Sequence, residues 1–258
     1  MLVEVGGLDL EVFRTEGDET LAPIVLLHEG LGAAGAWGDF PQLLRAATGR
    51  SIVAYSRAGY GRSTVVREPF DVAYMHREAD AVLPVLLDRL EIPHAVLFGH
   101  SDGGSIALIF AAHEPERVDA LILEAPHVFV EDLTVESIAE ISRRYPDDAR
   151  LRRGLARYHE DPDLAFKRWN EIWLSPPFRQ WNITDLLRGI RAPALVLQGR
   201  DDEYGTLAQV DAITKALPQA ETALLDGCGH APHRDAREQV LALTASFVRR
   251  APARTVAQ

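Results

Sequence analysis

A serine hydroxyl becomes a useful nucleophile only when a turn exposes it and a nearby base can remove its proton. The run Gly99-His100-Ser101-Asp102-Gly103-Gly104 meets the first condition, because glycines two before and two after Ser101 leave room for a tight strand-to-helix turn. An acid and then a histidine are expected further along the chain, each in a turn that follows a strand. Asp202, in Gly199-Arg200-Asp201-Asp202-Glu203, and His230, in Gly227-Cys228-Gly229-His230, occupy such places. Asp201 and Glu203 compete with Asp202 for the acid position, and Glu124, at the end of another apolar run, could supply it from elsewhere. His233 is expected on the surface.

Acyl transfer also needs N–H donors aimed at the developing oxyanion. The amide of Asp102, directly after the nucleophile, is one candidate. The other is the amide of Gly30 or Leu31 in the loop His28-Glu29-Gly30-Leu31-Gly32. Glu29 places a carboxylate beside that loop. Such a group either recognises a polar or cationic part of the substrate or turns aside into a hydrogen-bond network.

Two other chemistries compete for the same residues. Gly30-Leu31-Gly32-Ala33-Ala34-Gly35 matches the dinucleotide fingerprint, but the end of the next strand offers Tyr55-Ser56-Arg57 where an acidic ribose ligand is expected. Arg57 would there suit a 2′-phosphate, yet neither Lys167 nor Lys215 lies four places after a tyrosine, as a common reductase pair requires. For a metal the closest approach is His230-x-x-His233, with no third ligand nearby in sequence. Neither a cofactor nor a metal is implied.

Short Val/Ile/Leu-rich runs positioned between longer amphipathic stretches specify an α/β fold, a mostly parallel sheet flanked by helices. The strands are expected over Leu8–Phe13, Ile24–His28, Ser51–Tyr55, Ala95–Phe98, Ala120–Glu124, Ala194–Gln198 and Glu221–Leu225. Helices are expected over Trp37–Ala47, Val72–Leu90, Gly103–His113, Thr206–Ala216 and Ala236–Arg250. Residues 128–191 break the alternation and read as a helical cap inserted into a core made of residues 1–127 and 192–258. Trp169, Trp173 and Trp181 cluster late in this insertion, where they either line a substrate pocket or hold the helices together.

The 258 residues carry 38 Asp and Glu against 27 Lys and Arg, a formal charge of −11, which disfavours nucleic acid and anionic membranes as partners. A small-molecule substrate is the expected partner. The single cysteine, Cys228, excludes an internal disulfide, no signal-peptide pattern precedes Asp9, and no apolar run is long enough to span a bilayer. These features predict a soluble, cytoplasmic protein and leave its oligomeric state open.

Over nearly its whole length the chain resembles the α/β-hydrolase superfamily. The resemblance rests on the His28-to-Gly32 loop, on Arg57-Ala58-Gly59-Tyr60-Gly61-Arg62-Ser63, on the elbow at Ser101, and on the late Asp202 and His230 turns. The Ser-Asp-Gly-Gly elbow with a helical cap is similar to serine esterases of the valacyclovir-hydrolase type. That similarity implies that the Asp102 carboxylate binds a substrate amino group. Where the superfamily usually has His-Gly, this chain has His28-Glu29, which leaves the substrate class open. Ser101 separates the chain from haloalkane dehalogenases and epoxide hydrolases, which share the fold but use aspartate there. The expected activity is hydrolysis of a small carboxylic ester, with aminoacyl esters, amides and lactones as variants. Alternatives are a slow-turnover or non-enzymatic ligand receptor on this scaffold, and a carbon–carbon hydrolase or perhydrolase with the same triad.

Overall fold

The computed structural model describes residues 1–251. Its centre is an eight-stranded sheet: β1 (Leu2–Val5), β2 (Leu8–Thr15), β3 (Ile24–Leu27), β4 (Ile52–Tyr55), β5 (Ala95–His100), β6 (Val118–Glu124), β7 (Ala194–Gly199) and β8 (Glu221–Leu225). The spatial order is β1-β2-β4-β3-β5-β6-β7-β8. β2 pairs antiparallel with both β1 and β4, and all other pairings are parallel. The three strands β5, β6 and β7 are buried along their whole length, as expected of parallel strands covered on both faces.

β1 was not among the expected strands. Its burial alternates along Leu2, Val3, Glu4 and Val5, the period-two pattern of an edge strand with one wet face. Helices α1 (Phe40–Thr48), α2 (Tyr74–Arg77), α3 (Leu83–Arg89) and α4 (Asp102–His113) precede the insertion. Two expected helices are broken. Ala34–Trp37 forms a separate 3-10 turn ahead of α1, because Gly38 takes φ 60° between them. The stretch from Tyr74 to Arg89 contains a π-helical segment over Glu78–Val82, ahead of Pro84 at the start of α3, where its missing N–H costs least. α4 is buried on nearly all sides, from Asp102 to Ala111, and it packs beneath the sheet directly after β5.

Between β6 and β7 lie α5 (Asp132–Arg144), α6 (Ala149–Ala156), α7 (Pro162–Trp173) and two 3-10 turns, with no named strand among them. α6 and α7 each start at an aspartate whose side chain accepts an N–H of the first turn, Asp148 from Leu151 and Asp161 from Leu164. This helical segment is tied to the rest of the chain by polar bonds. His159 Nε2 donates to the Leu31 carbonyl at 2.9 Å and His159 Nδ1 accepts the Gly61 amide at 3.1 Å, while Arg168 Nε donates to the Glu68 carbonyl at 2.9 Å. α8 (Leu207–Ala216), α9 (Pro232–Asp235) and α10 (Arg237–Arg250) complete the fold. No helix among the described residues is long and apolar enough to cross a membrane.

Candidate active site

The carboxyl ends of β3, β5, β6, β7 and β8 converge on one edge of the sheet, where open parallel sheets bind ligands. β5 delivers Ser101 there in a backbone conformation that side chains rarely adopt, φ 54° and ψ −117°. The flanking glycines have a steric reason. A Cβ at Gly99 would stand 2.3 Å from the Gly103 carbonyl oxygen, and one at Gly103 would stand 2.0 Å from that of Leu27. The Ser101 amide donates to the Glu124 carbonyl at 2.9 Å, which holds the elbow against β6.

His230 Nε2 lies 2.9 Å from Ser101 Oγ, and His230 Nδ1 lies 2.9 and 3.0 Å from the two Asp202 carboxylate oxygens. With Nδ1 donating to the carboxylate, Nε2 is left to accept the serine proton. Asp202 is held by three further donors: Gln198 Nε2 at 2.6 Å and the amides of Tyr204 and Gly205 at 2.8 and 3.2 Å. Burial raises the Asp202 pKa, but the bond from His230 and the amide donors outweigh it and hold the carboxyl below its ordinary value. Burial likewise disfavours the His230 cation, and here too the neighbouring Asp202 prevails, leaving the imidazole pKa raised.

The competing acids lie elsewhere. Asp201 is exposed, with its amide on the Cys228 carbonyl, and Glu203 accepts the His230 amide at 3.2 Å. Glu124 is fully buried and pairs with His233, Oε2 to Nδ1 at 2.7 Å. This corrects the expectation for His233, which is 3% exposed beneath the carboxyl edge of the sheet because α9 turns its ring inward against Trp37 and Phe40. Ligand atoms of His100, Glu124 and His233 lie within 4.8 Å of one another, close enough to share a metal ion. One nitrogen on each ring is already engaged, His233 with Glu124 and His100 Nε2 with the His230 carbonyl at 2.6 Å.

The loop after β3 is fixed through the Glu29 carbonyl, which accepts from His28 Nδ1 at 2.7 Å, Arg57 Nη2 at 2.9 Å and the Gly32 amide at 3.0 Å. Because C=O and N–H point oppositely across a trans peptide, this turns the Gly30 N–H away from Arg57. The Asp102 amide opens α4, where first-turn N–H groups have no partner within the helix. Arg57 is buried within this core, so its place as a 2′-phosphate ligand is corrected.

A cavity of about 750 Å³ opens above Ser101. Glu29, Gly30, Leu31, Asp102, His230, Trp169 and Trp173 all line it. The Trp169 indole lies so close over Gly30 that a Cβ there would stand 2.1 Å from its Nε1. Trp181 is outside the lining: it is 7% exposed and stacks on Phe178, so its expected substrate contact is corrected to packing. The Glu29 carboxyl folds over Gly32, where a Cβ would stand 2.0 Å from Oε2, and burial raises its pKa. Oε2 has no hydrogen-bond partner.

The Asp102 carboxylate, expected to hold a substrate amine, is 1% exposed, with Oδ2 engaged and Oδ1 without a hydrogen-bond partner. Its Oδ2 accepts the Tyr74 hydroxyl at 2.7 Å and faces Arg57 Nη1 at 3.5 Å. The Arg57 guanidinium already offsets part of the charge that an ammonium group would seek at this carboxylate. Sequence reasoning missed His127, which lines the cavity with its ring 5.1 Å from Trp173 and 5.7 Å from His230. Burial pushes it down to about 3, so the ring is neutral. Its place just beyond Glu124, at the carboxyl end of β6, was the available signal.

The model of the alpha/beta hydrolase family matches residues 24–243. A 2-hydroxy-6-oxo-6-phenylhexa-2,4-dienoate hydrolase of Comamonas testosteroni is 25% identical, over 88% of this chain and 87% of its own length. A proline iminopeptidase of Lactobacillus delbrueckii subsp. bulgaricus is 26% identical, over 85% and 87%. Among solved structures, the enol-lactonase from Burkholderia xenovorans LB400 superposes with a TM-score of 0.76 at 20% identity, covering 96% of this chain and 100% of that one.

Proposed function

Because the chain belongs to the alpha/beta hydrolase family, a family of enzymes, we propose that it is a serine hydrolase of small carboxylic esters. The observation that carries this reading is the unbroken hydrogen-bond series from Asp202 through His230 to Ser101, with both His230 links at 2.9 Å. Ser101 Oγ attacks the ester carbonyl carbon as His230 Nε2 takes its proton. Asp202 holds the imidazole in the required tautomer and stabilises the imidazolium. The amides of Asp102 and of Gly30 or Leu31 stabilise the oxyanion, each contributing about 3 to 4 kcal/mol. The tetrahedral intermediate then collapses, His230 protonates the departing alkoxide, and water hydrolyses the acyl-enzyme by the same steps reversed.

The helical segment over the cavity serves as a lid, and Trp169 and Trp173 supply an apolar wall that selects the substrate's carbon skeleton. A second reading keeps Ser101, Asp202 and His230 but hydrolyses a carbon–carbon bond beside a ketone. Similarity to a relative named for a 6-oxo dienoate favours it. Labelling the purified protein with a fluorophosphonate and mapping the modified residue by mass spectrometry tests the shared core of both readings. One adduct at Ser101, absent from Ser101→Ala, is the expected result; a folded protein that takes no label removes both. Ester and vinylogous ketone panels then separate the two.

A further inference from the structure

We propose that His100 is a positioning residue that fastens the loop carrying His230 to the strand carrying Ser101, an inference that rests on the serine-hydrolase reading. His230 ends the stretch Gly227-Cys228-Gly229, and two glycines in three residues give this loop a freedom that something outside it must remove. His100 directly precedes Ser101, and its Nε2 lies 2.6 Å from the His230 carbonyl oxygen. A carbonyl only accepts, so Nε2 carries the hydrogen. Burial and the neighbouring His233 and His230 hold the His100 pKa well below the ordinary histidine value, so the ring is neutral and this tautomer is its stable form.

The other side of His100 is braced as well. His233 meets it edge to face at 5.1 Å, and Glu124 fixes His233 through the 2.7 Å bond to Nδ1. Glu124 thus holds the nucleophile's amide with its carbonyl and the brace with its carboxylate. Nucleophile strand, base loop and β6 meet in one buried cluster. An ångström of slack between Ser101 and His230 is worth about a hundredfold in rate, which gives such a fastening a catalytic consequence.

Glutamine at position 100 can place an amide N–H near the position of histidine Nε2, whereas asparagine carries the same amide one carbon short. The test compares His100→Gln with His100→Asn in the full chain, at equal thermal stability, by fluorophosphonate labelling rate and by kcat and KM for an ester that the wild type turns over. His100→Asn is expected to lose at least tenfold in kcat and labelling rate with KM within about twofold, and His100→Gln to recover most of the loss. Equal rates in the two variants, or an Asn variant at wild-type rate, overturn the proposal while leaving the triad in place. A wild type that never labels at Ser101 removes the underlying reading instead.

Discussion

Ser101 Oγ and His230 Nε2 stand 2.9 Å apart although 129 positions separate them in the chain. Their strands are not neighbours, since β6 and β7 lie between β5 and β8. The turns after β7 and β8 therefore reach back across the sheet's edge, and Asp202 in the first of them anchors His230 in the second.

Removing the nucleophile leaves this frame intact. Ser101→Ala is expected to abolish ester turnover with a melting temperature near that of the wild type, and His230→Ala to lower kcat by about a thousandfold or more. Steady-state assays beside calorimetry check this, and substantial turnover by Ser101→Ala would give the chemistry to another group.

The pH profile has a sign. On the serine-hydrolase reading, His230 works as a base only when neutral. Burial lowers its pKa, but Asp202, followed by Glu203 and Glu29, raises it by more, so the acid limb of kcat/KM lies on the high side of the ordinary histidine value. Glu29→Gln removes one of those negative charges and is expected to move the limb to lower pH. A limb that stays put or moves upward in that variant removes the Glu29 carboxylate from the field at His230.

His233 and Glu124 form a buried pair, 4% and 0% exposed at their side chains. His233→Ala leaves the carboxylate without its partner, at a cost of about 3 to 5 kcal/mol. In a chain of this size that is a fall of roughly 10 °C in melting temperature, readable by calorimetry. A shift of a degree or two would place His233 outside the fold's supporting interactions.

Asp102→Asn tests the carboxylate beside the nucleophile. Loss of its charge takes from Arg57, whose side chain is 6% exposed, the carboxylate it faces at 3.5 Å. Stability is expected to fall by about 3 to 5 kcal/mol, with the ratio of aminoacyl-ester to simple-ester turnover unchanged. A stable variant that has lost a preference for aminoacyl esters would restore the amine-binding role.

Much of the fold was legible because it is written locally. Gly99 is required by its approach to the Gly103 carbonyl within one turn, although Gly103 answers to the Leu27 carbonyl on β3, and the apolar runs of β5, β6 and β7 announce strands buried on both faces. The turns holding Ser101, Asp202 and His230 each carry their own pattern. What escaped was pairwise and long-range. Glu124 meets His233 across 109 positions, and Arg57 faces Asp102 across 45, so nothing near either residue reports its partner. The break before α3 is the reverse case, with Pro84 in plain view inside an apolar periodicity that suggested one continuous helix. Trp181 clusters with Trp169 and Trp173 in the sequence, but sequence proximity does not say which ring faces the cavity.

The closeness of Trp169 to Gly30 has an evolutionary corollary. A methyl group at position 30 would collide with the indole, so the two positions are not free to drift separately. In a lineage where residue 30 becomes alanine, position 169 must shrink or α7 must shift. Either change reshapes the cavity wall and the amide of residue 30 in a single step, which makes this pair a natural place for the scaffold to exchange one substrate for another.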